Sequence, residues 1–345
     1  MRTILVCEAQ VPFVRGGAEY HVRALVDELR RHGYDTERVS LPFKWYPKPE
    51  ILAHAAAWRL IDLSESNGRP IDLVIATKFP TYFVRHPRKV AWLIHQHRAA
   101  YELAGTPYSD FNHTPDDVAL RERLIAIDTE MLRECRRVFA NAETTARRAR
   151  RFNGVDATAL YHPPRLAPRL RRGPMGDYVL CVGRLESVKR VDLAIRALAA
   201  APKDISLAVA GIGTERSALE ALAASTGVEH RVRFLGEVGD DELIDLYSGA
   251  LGVIFPPYDE DYGYVTLEAF LSGKPVITTT DAGGPTEFVV DGVNGCVTAP
   301  EPAALGEAIT FLAADRSRAA SLGDAGYERG RQVTWAGVIE ALVQG

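Results

Sequence analysis

The sequence has few of the features that mark whole classes of protein. Its four cysteines (Cys7, Cys135, Cys181 and Cys296) lie far apart, so neither a disulfide scaffold nor a Cys-x-x-Cys zinc or redox site is expected. No run approaches the roughly 18 apolar residues of a membrane span, and the apolar run at the amino terminus is too short for a signal peptide. No repeat recurs at the roughly 20–50-residue period of solenoids and propellers. These absences predict a cytoplasmic globular protein and leave peripheral contact with a membrane open.

Charge is nearly balanced over the whole chain but not within it. The 345 residues carry a net charge of −4 and are 47% hydrophobic and 25% charged, ordinary values for a globular protein of about two domains. Residues 1–172 hold 28 Lys and Arg against 20 Asp and Glu, whereas residues 173–345 hold 13 against 25. The basic excess lies in residues 133–172, which contain 11 Arg, no Lys and three acidic residues. This segment is either a set of solvated helix faces with a charged linker, or a basic surface for an anionic membrane or a phosphate-bearing acceptor.

Short apolar runs alternate with amphipathic segments in both halves of the chain. In the first half, strand patterns occupy residues 2–7, 71–76, 89–94 and 137–140, and a helix pattern spans about 18–31. In the second half, strand patterns occupy residues 178–182, 206–210, 231–235, 251–255 and 275–278, and a helix pattern spans 191–200. Apolar strands that alternate with helices predict an α/β fold of two Rossmann-like domains, each a doubly wound parallel sheet. Such sheets bind ligands at the carboxyl ends of their strands, so two facing sheets would share a cleft.

A stretch rich in proline and glycine divides the two halves. Residues 161–176 contain four prolines and two glycines and lack apolar periodicity, which is typical of a linker. We therefore predict an amino-terminal domain over residues 1–165, a linker over 166–176 and a second domain over 177–330. Residues 331–345 are predicted to form a helix that packs back toward the first domain.

The loop after the first strand of the second half combines a glycine with two cations. Gly183 permits close approach of the backbone to a ligand, and Arg184 and Lys189 place two positive charges near a helix start. Such a pair suits a diphosphate, because arginine binds two oxygens at once and lysine acts as a point charge. The alternative is a solvated loop with chance basic residues.

The segment 258–268 follows another strand and is rich in acidic residues. Glu260 is expected in the loop, and the helix is expected to begin near Gly263, which leaves the amides of Gly263, Tyr264 and Val265 available to an anion. Glu268 would lie more than one turn into the helix, where a carboxylate can accept the paired hydroxyls of a ribose. Acidic capping of the helix explains Glu260 equally well, but it does not explain Glu268.

Two further pairs of glycines precede helices. Gly283 and Gly284 lie between a strand and a helix, where they permit close backbone approach and offer a second anion site at the helix start. Gly16 and Gly17 come just before the first helix of the chain and form another turn that tolerates phosphate. For both pairs the alternative is an ordinary turn.

Two histidines follow a strand of the first half. His95 and His97 would share a face if the strand continued, but no third metal ligand is placed nearby. A single histidine at this strand end could instead hydrogen-bond to a sugar or a phosphate. A plain core or surface histidine is the remaining alternative.

Together these motifs resemble the retaining glycosyltransferases of glycosyltransferase family 4, which have the GT-B fold. The resemblance rests on GGAEYH after the first strand, VGRLESVKRVDLAI after the first strand of the second half, EDYGYVTLEA, and AGGPTEFVVDGVNGCV. Glu260 and Glu268 match the Glu-x7-Glu spacing of that family, with Tyr262 where phenylalanine is commoner. The resemblance covers nearly the whole chain and is most specific in residues 178–300.

The resemblance implies a role for each matching position in the second half. Arg184 and Lys189 match the pair that neutralises the nucleotide diphosphate, Glu268 matches the ribose ligand, and Glu260 matches the carboxylate that contacts the donor sugar. Residues matching the remaining donor contacts are Gly183, Gly263, Tyr264, Val265, Gly283 and Gly284.

In the first half, Gly16 and Gly17 match the loop that closes over the diphosphate. His95 resembles the histidine that touches the donor sugar in many members of the family. The His-Gln-His-Arg sequence around it is not a general motif of that family, so this match rests on position alone.

The resemblance implies transfer of a sugar from a UDP- or GDP-linked donor, with retention of anomeric configuration and without a metal or other cofactor. The acceptor is expected to be a sugar, a lipid-linked molecule or a small molecule of glycan or glycoconjugate biosynthesis, and no nucleic acid is expected as a partner. The acceptor side belongs to the first domain, where residues 40–50 and 98–115 are aromatic and polar. These segments are either sugar-binding walls or plain loops.

Other functions remain as alternatives. A nicotinamide dehydrogenase would use Gly211-Ile212-Gly213 as its fingerprint, but Arg216 replaces the third glycine. A metal-dependent transferase would use the Asp-x-Asp tripeptide at Asp259–Asp261, which arises often by chance in an acidic loop. A nucleotide-sugar epimerase or phosphorylase of the same fold, and a partner subunit that binds nucleotide sugars without catalysis, are also consistent with the sheets.

Overall fold

The structure is a computed structural model that describes residues 2–13 and 16–344. The chain forms two compact units, one built from residues 1–162 together with 334–345, and the other from residues 163–333. None of the helices in the described part of the chain combines the length and apolar character that crossing a bilayer requires.

The first unit is built on a parallel sheet of six strands in the order β2-β1-β5-β6-β7-β8. The strands of this unit are β1 (Thr3–Gln10), β2 (Asp35–Pro42), β3 (Glu65–Ser66), β4 (Arg69–Pro70), β5 (Leu73–Ala76), β6 (Lys89–Leu93), β7 (Arg137–Ala140) and β8 (Thr158–Ala159). Strands β3 and β4 form a separate antiparallel pair. The helices are α1 (Gly17–Arg31), α2 (Glu50–Leu60), α3 (Pro115–Arg133) and α4 (Glu143–Asn153).

The second unit repeats the arrangement with a parallel sheet in the order β11-β10-β9-β12-β13-β14. Its strands are β9 (Tyr178–Val182), β10 (Ser206–Ala210), β11 (Val232–Gly236), β12 (Gly252–Ile254), β13 (Val276–Thr279) and β14 (Gly295–Thr298). Its helices are α5 (Val191–Ala200), α6 (Arg216–Ser225), α7 (Asp240–Gly249), α8 (Tyr264–Leu271), α9 (Pro285–Phe288), α10 (Pro302–Ala314) and α11 (Arg316–Gly330). The predicted α/β class with two parallel sheets is therefore confirmed.

The chain returns to the first unit at its carboxyl end. The last helix, α12 (Val338–Gln344), buries Val338, Ile339 and Leu342 in the same apolar cluster as Ile4 and Val6 of β1. The amphipathic pattern of α12 explains this position, because its apolar side chains recur at the spacing of one helix face.

Sequence patterns missed five strands, namely the two-residue strands β3, β4 and β8 and the longer strands β2 and β14. β2 carries Glu37, Arg38 and Ser40, which interrupt the apolar alternation, because it lies at the edge of its sheet. β14 is short and follows a turn, so it has little periodicity of its own. Edge strands bury less surface, and their patterns are correspondingly weaker.

The arginine-rich stretch predicted as linker clusters with the second unit. Arg165 and Arg169 pair with Asp240 on α7, with closest nitrogen–oxygen distances of 2.6 and 3.4 Å. Arg171 pairs with Asp245 of the same helix, and Arg172 with Asp324 of α11. Part of the basic excess of residues 133–172 is therefore balanced locally by carboxylates of the acidic half.

A buried lysine fixes the end of the same stretch. Lys274 donates hydrogen bonds to the carbonyls of Gly173 and Pro174, at 2.9 and 2.6 Å. Burial lowers the pKa of Lys274 to about 8. Ion pairs and hydrogen bonds therefore hold this segment against the rest of the second unit.

Candidate functional site

The loop after β9 carries the two predicted phosphate ligands. Gly183 has a φ of +150°, and a Cβ added there would meet no atom within 4 Å. Arg184 is exposed and donates to Glu186 at 2.6 Å. Lys189 ends a three-residue 3₁₀ helix that begins at Ser187. The loop therefore presents open backbone and one exposed cation, while the second cation lies deeper.

Lys189 and Glu260 are brought together across the site. The Nζ atom of Lys189 lies 2.5 Å from Oε2 of Glu260, and each side chain is 15% exposed. Two residues whose predicted roles concern different parts of one donor molecule thus form an ion pair. A charge-assisted contact of this length positions both side chains firmly.

The backbone of Glu260 is held by the loop after β13. Its N–H donates to the carbonyl of Ala282 at 2.8 Å, and its carbonyl accepts from the N–H of Gly284 at 2.8 Å. Glu260 and Gly283 form an isolated parallel bridge. Sequence patterns could not predict this pairing, because each partner lies in a loop.

Close packing explains why both residues of that loop are glycines. A Cβ on Gly283, which has a φ of +73°, would lie 2.5 Å from the carbonyl oxygen of Glu260. A Cβ on Gly284 would lie 2.7 Å from the carbonyl oxygens of Asp261 and Tyr262. The glycines therefore allow one loop to press against the other, and the contact of Gly283 and Gly284 with a donor stays a prediction.

The helix expected after these glycines is much shorter than a typical helix. α9 contains only the four residues Pro285–Phe288. One turn sums few peptide dipoles, so the second anion site expected at its start has weak support.

Arg190 is a central residue that the sequence patterns missed. Its guanidinium donates to the carbonyls of Pro256 and Pro257, at 2.8 and 2.7 Å, and to both carboxylate oxygens of Asp281, at 2.6 and 2.8 Å. Although burial alone would raise the pKa of Asp281, hydrogen bonds from Arg190 and Thr279 outweigh it and hold that pKa below its ordinary value. Arg190 thus joins the loops after β9, β12 and β13.

A weak signal for Arg190 existed in the sequence. It directly follows Lys189 and precedes a helix, but a run of two cations does not show which one turns inward. Arg190 adopts a left-handed backbone with a φ of 50°, which places the two neighbouring side chains in different surroundings.

The helix predicted to start near Gly263 begins there. Gly263 precedes α8 with a φ of +77°, and a Cβ at this position would lie 2.9 Å from Cγ of Pro285. Tyr264 and Val265 form the first turn, whose N–H groups have no carbonyl four residues earlier in the helix. The anion-binding geometry expected here therefore has its local basis in the structure.

Glu268 lies on α8 and is oriented by a buried tyrosine. The Oη atom of Tyr247 donates to Oε2 of Glu268 at 2.8 Å. Burial raises the pKa of Glu268 above its ordinary value, and the hydrogen bond from Tyr247 opposes that shift. Tyr247 lies on α7, so its role could not be foreseen from the motif alone.

In the first unit, the glycine pair starts α1 as expected. The N–H of Gly16 donates to Oε2 of Glu19 at 2.9 Å, and Gly17 is the first helical residue. The other carboxylate oxygen of Glu19 lies 3.1 Å from Nζ of Lys78, and both side chains are buried. An ion pair beneath the turn thus fixes the position of this glycine loop.

His95 and His97 do not continue a strand. β6 ends at Leu93, so the condition under which the two histidines would share a strand face is not met. Nδ1 of His95 lies 2.6 Å from the carbonyl oxygen of Gln96. The ring of His97 packs among phenylalanines, and burial lowers its pKa to about 4. Within residues 2–13 and 16–344, no group of three or more His, Cys, Asp or Glu side chains is arranged to hold a metal ion.

Gly211 and Gly213, the glycines of the possible dinucleotide-binding fingerprint, have a packing role. A Cβ on Gly211 would lie 1.9 Å from the carbonyl oxygen of Gly183, and one on Gly213 would lie 2.3 Å from that of Leu185. These glycines let the loop after β10 pack closely on the loop after β9.

Comparison with known proteins gives the site a context. Residues 167–329 match the family model described as glycosyl transferases group 1, which covers just under half of the chain and lies within the second unit. An uncharacterized glycosyltransferase of Methanocaldococcus jannaschii is 25% identical over 334 residues, which is 86% of this chain and 84% of that protein. A D-inositol 3-phosphate glycosyltransferase of Nocardia farcinica is 31% identical over 63% of this chain and 53% of that protein.

The corresponding enzyme of Mycolicibacterium gilvum is 34% identical over 56% of this chain. The chain spans about half the length of these two inositol phosphate enzymes, 53% and 44% respectively.

Solved structures extend the similarity to the whole fold. Sucrose-phosphate synthase from Thermosynechococcus elongatus has a TM-score of 0.80 at 18% identity and covers 100% of this chain and 98% of that one. HepE of Anabaena, in complex with UDP and glucose, has a TM-score of 0.73 at 19% identity and covers 100% and 99%. The matches support a glycosyltransferase, and its two parallel-sheet domains are those of the GT-B fold.

Proposed function

We propose that this protein transfers a sugar from a UDP- or GDP-linked donor to an acceptor, with retention of configuration and without a metal ion, in the manner of glycosyltransferase family 4. The observation that carries the proposal is the meeting of Lys189, Glu260 and the first turn of α8 within one unit. That unit contains the segment matched by the glycosyl transferase group 1 model. HepE, which shares the fold, has been crystallised with UDP-glucose.

Charge explains how these groups would act. Cleavage of a sugar–phosphate bond leaves additional negative charge on the nucleoside diphosphate, and cations aimed at that charge stabilise the transition state more than the ground state. Arg184, Lys189 and the amides of Tyr264 and Val265 would supply this positive charge. The leaving phosphate can take the proton of the acceptor hydroxyl, so the protein need not supply a base.

Glu260 would orient the sugar rather than attack it. A carboxylate near the anomeric carbon favours the positively charged sugar of the transition state and accepts hydrogen bonds from sugar hydroxyls. Donor binding would draw Lys189 toward the diphosphate and free Glu260 for the sugar.

The remaining donor contacts follow the same proposal. Glu268, oriented by Tyr247, would accept the two ribose hydroxyls. Gly17 would lie against the diphosphate, and His95 would hydrogen-bond to the donor sugar. Both contacts in the first unit rest on the family resemblance.

The acceptor is proposed to be a sugar, a lipid-linked molecule or a small molecule in the cytoplasm. Contact of residues 133–172 with an anionic membrane is a weaker proposal, because Arg165, Arg169, Arg171 and Arg172 are paired with aspartates. Paired cations contribute little to a long-range field.

The proposal is tested by incubating the protein with a panel of UDP- and GDP-sugars in EDTA and measuring nucleotide release. We expect release from at least one donor, with water as the acceptor of the sugar. NMR recorded before the released sugar mutarotates is expected to show the anomeric configuration of the donor. Release of nucleotide from no donor would favour a subunit that binds without catalysis. Conversion of the donor into its epimer would identify an epimerase.

A further inference from the structure

The two loops of the first unit that combine aromatic and polar residues meet in the structure. The ring centroid of Phe43 lies 6.1 Å from that of His97, and His97 lies 5.9 Å from Phe111. Phe79, which follows β5, packs on Phe43 with a centroid distance of 5.8 Å. Segments 40–50 and 98–115 therefore meet around buried Phe79 and Phe111. The surface above these two rings is called the aromatic face and consists of Phe43, Trp45, Tyr46 and His97.

This surface lies where parallel sheets bind ligands. The N–H of Phe43 donates to the carbonyl of Gln10 at 2.7 Å, immediately after β1 and β2 end. Phe79 and His97 follow the carboxyl ends of β5 and β6. The carboxyl edge of such a sheet is the usual position of a binding site.

Lys48 holds in place the loop that carries the rings of Trp45 and Tyr46. Nζ of Lys48 lies 2.7 Å from Oδ1 of Asp117 and 4.8 Å from the ring centroid of Phe111. The hydrogen bond from Lys48 lowers the pKa of Asp117. A loop held in this way loses little entropy when a ligand binds to it.

Two rings of the aromatic face are open to solvent. Trp45 is 37% exposed and Tyr46 is 60% exposed, and their ring centroids lie 5.5 Å apart at 87°. By contrast, Trp58 and Trp92 are buried. Large aromatic side chains left exposed side by side indicate a surface that another molecule covers.

The charges around these rings favour a neutral ligand over an anionic membrane. Segments 40–50 and 98–115 carry three cations, Lys44, Lys48 and Arg98, and three carboxylates, Glu50, Glu102 and Asp110. A surface that docks on anionic lipids needs an excess of cations, and the charges of these segments balance. Aromatic rings rimmed by polar groups are the usual composition of a site for a neutral polar ring.

We propose that the aromatic face binds a pyranose ring of the acceptor, with Trp45 stacking against its apolar C–H face and the perpendicular ring of Tyr46 bordering its edge. The acceptor is therefore a saccharide or a molecule that carries one. This inference rests on the proposed glycosyltransferase function, but the binding surface belongs to the first unit and can be tested without turnover.

The first test measures binding alone. Methyl glucosides, galactosides and mannosides are titrated into the wild-type protein and into Trp45→Phe and Trp45→Ala, and tryptophan emission is recorded. We expect tryptophan emission to change saturably with at least one glycoside. This change is expected to disappear in Trp45→Phe, because the indole that reports binding has been removed. Saturation transfer NMR with the same glycoside is expected to retain binding in Trp45→Phe and to lose it in Trp45→Ala.

Two results of this test would overturn the proposal. One is equal binding of the glycoside by Trp45→Ala and wild type. The other is the absence of glycoside binding together with sedimentation of the wild type, but not of Trp45→Ala, with vesicles of phosphatidylcholine and phosphatidylglycerol. The second result would assign the face to a membrane.

The second test separates the acceptor from the donor. With the saccharide that binds best as acceptor, Trp45→Ala and Tyr46→Ala are expected to raise its KM roughly tenfold, the loss of one good aromatic contact. Donor hydrolysis without acceptor is recorded for each variant as a separate measure of donor handling. Phe311→Ala is the matched control, because Phe311 is 38% exposed but lies in the second unit.

The outcomes of the second test distinguish the two proposals. Wild-type protein that hydrolyses no donor yet binds a glycoside through Trp45 would contradict the proposed function and leave the saccharide site intact. Active protein with an unchanged acceptor KM in both variants would contradict the saccharide site and leave the proposed function intact.

Discussion

Lys189 and Glu260, 71 positions apart in the sequence, form an ion pair in which Nζ and Oε2 are separated by 2.5 Å. The pair connects the loop after β9 with the loop after β12, so it joins a predicted phosphate ligand to a predicted sugar ligand. A donor diphosphate that replaced Glu260 as the partner of Lys189 would leave the carboxylate beside the sugar. The ion pair thus places a predicted phosphate ligand and a predicted sugar ligand side by side.

Replacement of Lys189 by methionine is expected to lower sugar transfer by roughly a hundredfold or more, because one preorganised charge on the leaving group is lost. The rate of nucleotide release measures the effect. Lys203→Met is the control, since Lys203 is an exposed lysine of the same unit. Equal rates for wild type and Lys189→Met would contradict the role of Lys189.

Gly283→Ala is expected to displace Glu260 and to reduce both stability and transfer. The new Cβ would lie 2.5 Å from the carbonyl oxygen of Glu260, in addition to the strain of a left-handed alanine. Gly292→Ala is the matched control, because Gly292 has a φ of +69° and no atom within 4 Å of its added Cβ. The control should show only the strain, about 1–2 kcal/mol by thermal unfolding. If both variants lose the same stability and activity, the contact with Glu260 is unimportant.

Arg190→Met is expected to destabilise the second unit by about 3 kcal/mol, because it leaves Asp281 and two proline carbonyls without their buried donor. Arg216→Met removes an exposed ion pair between Arg216 and Glu220 and should cost less than about 0.5 kcal/mol. Urea unfolding measures both. A loss in Arg190→Met no larger than in the control would show that Arg190 does not hold the loops together.

The first unit contains a buried histidine pair with a consequence for acid stability. Nδ1 of His21 lies 3.0 Å from Nε2 of His162, and both rings contact Trp92. Burial, aided by the charge of Lys78, lowers the pKa of His21 to about 3, and burial holds the pKa of His162 well below its ordinary value. Both histidines are therefore neutral in the folded protein at pH values where the unfolded chain already binds protons.

Stability is consequently expected to fall as the pH drops below about 6.5, the ordinary histidine pKa, because protons then favour the unfolded chain. The double variant His21→Phe/His162→Phe should show a shallower decline between pH 6.5 and 4, measured by urea unfolding with tryptophan emission. His230→Gln changes an exposed histidine and should retain the wild-type slope. An unchanged slope in the double variant would contradict the assignment.

The fold could be predicted well from the sequence because apolar strands are recognisable from their residue patterns. β9, with Tyr178–Val182, and β13, with Val276–Thr279, are apolar runs buried on both faces, so their patterns are clear. The edge strand β2 was not predicted, because polar residues interrupt its apolar pattern. The order of the strands within each sheet was not predicted either, because it depends on pairing between segments that are distant in the sequence.

The candidate site was predicted in its ligands but not in its supports. Glu260, Gly263 and Lys189 stand at strand ends or helix starts, where position alone indicates contact with a ligand. Arg190 and Tyr247 act by holding other groups across 91 and 21 positions of sequence, and no local pattern carries that information. Residues that position others become visible only when the loops are seen together.

The central claim is that the second unit binds a nucleoside diphosphate, and calorimetric titration with UDP and GDP in EDTA tests it without knowledge of the acceptor. Wild-type protein is expected to bind at least one of them at a single site, and Glu268→Gln is expected to bind that nucleotide more weakly. Saturable binding that weakens in Glu268→Gln is the predicted result. Binding of neither nucleotide, or binding unaffected by Glu268→Gln, would contradict the account.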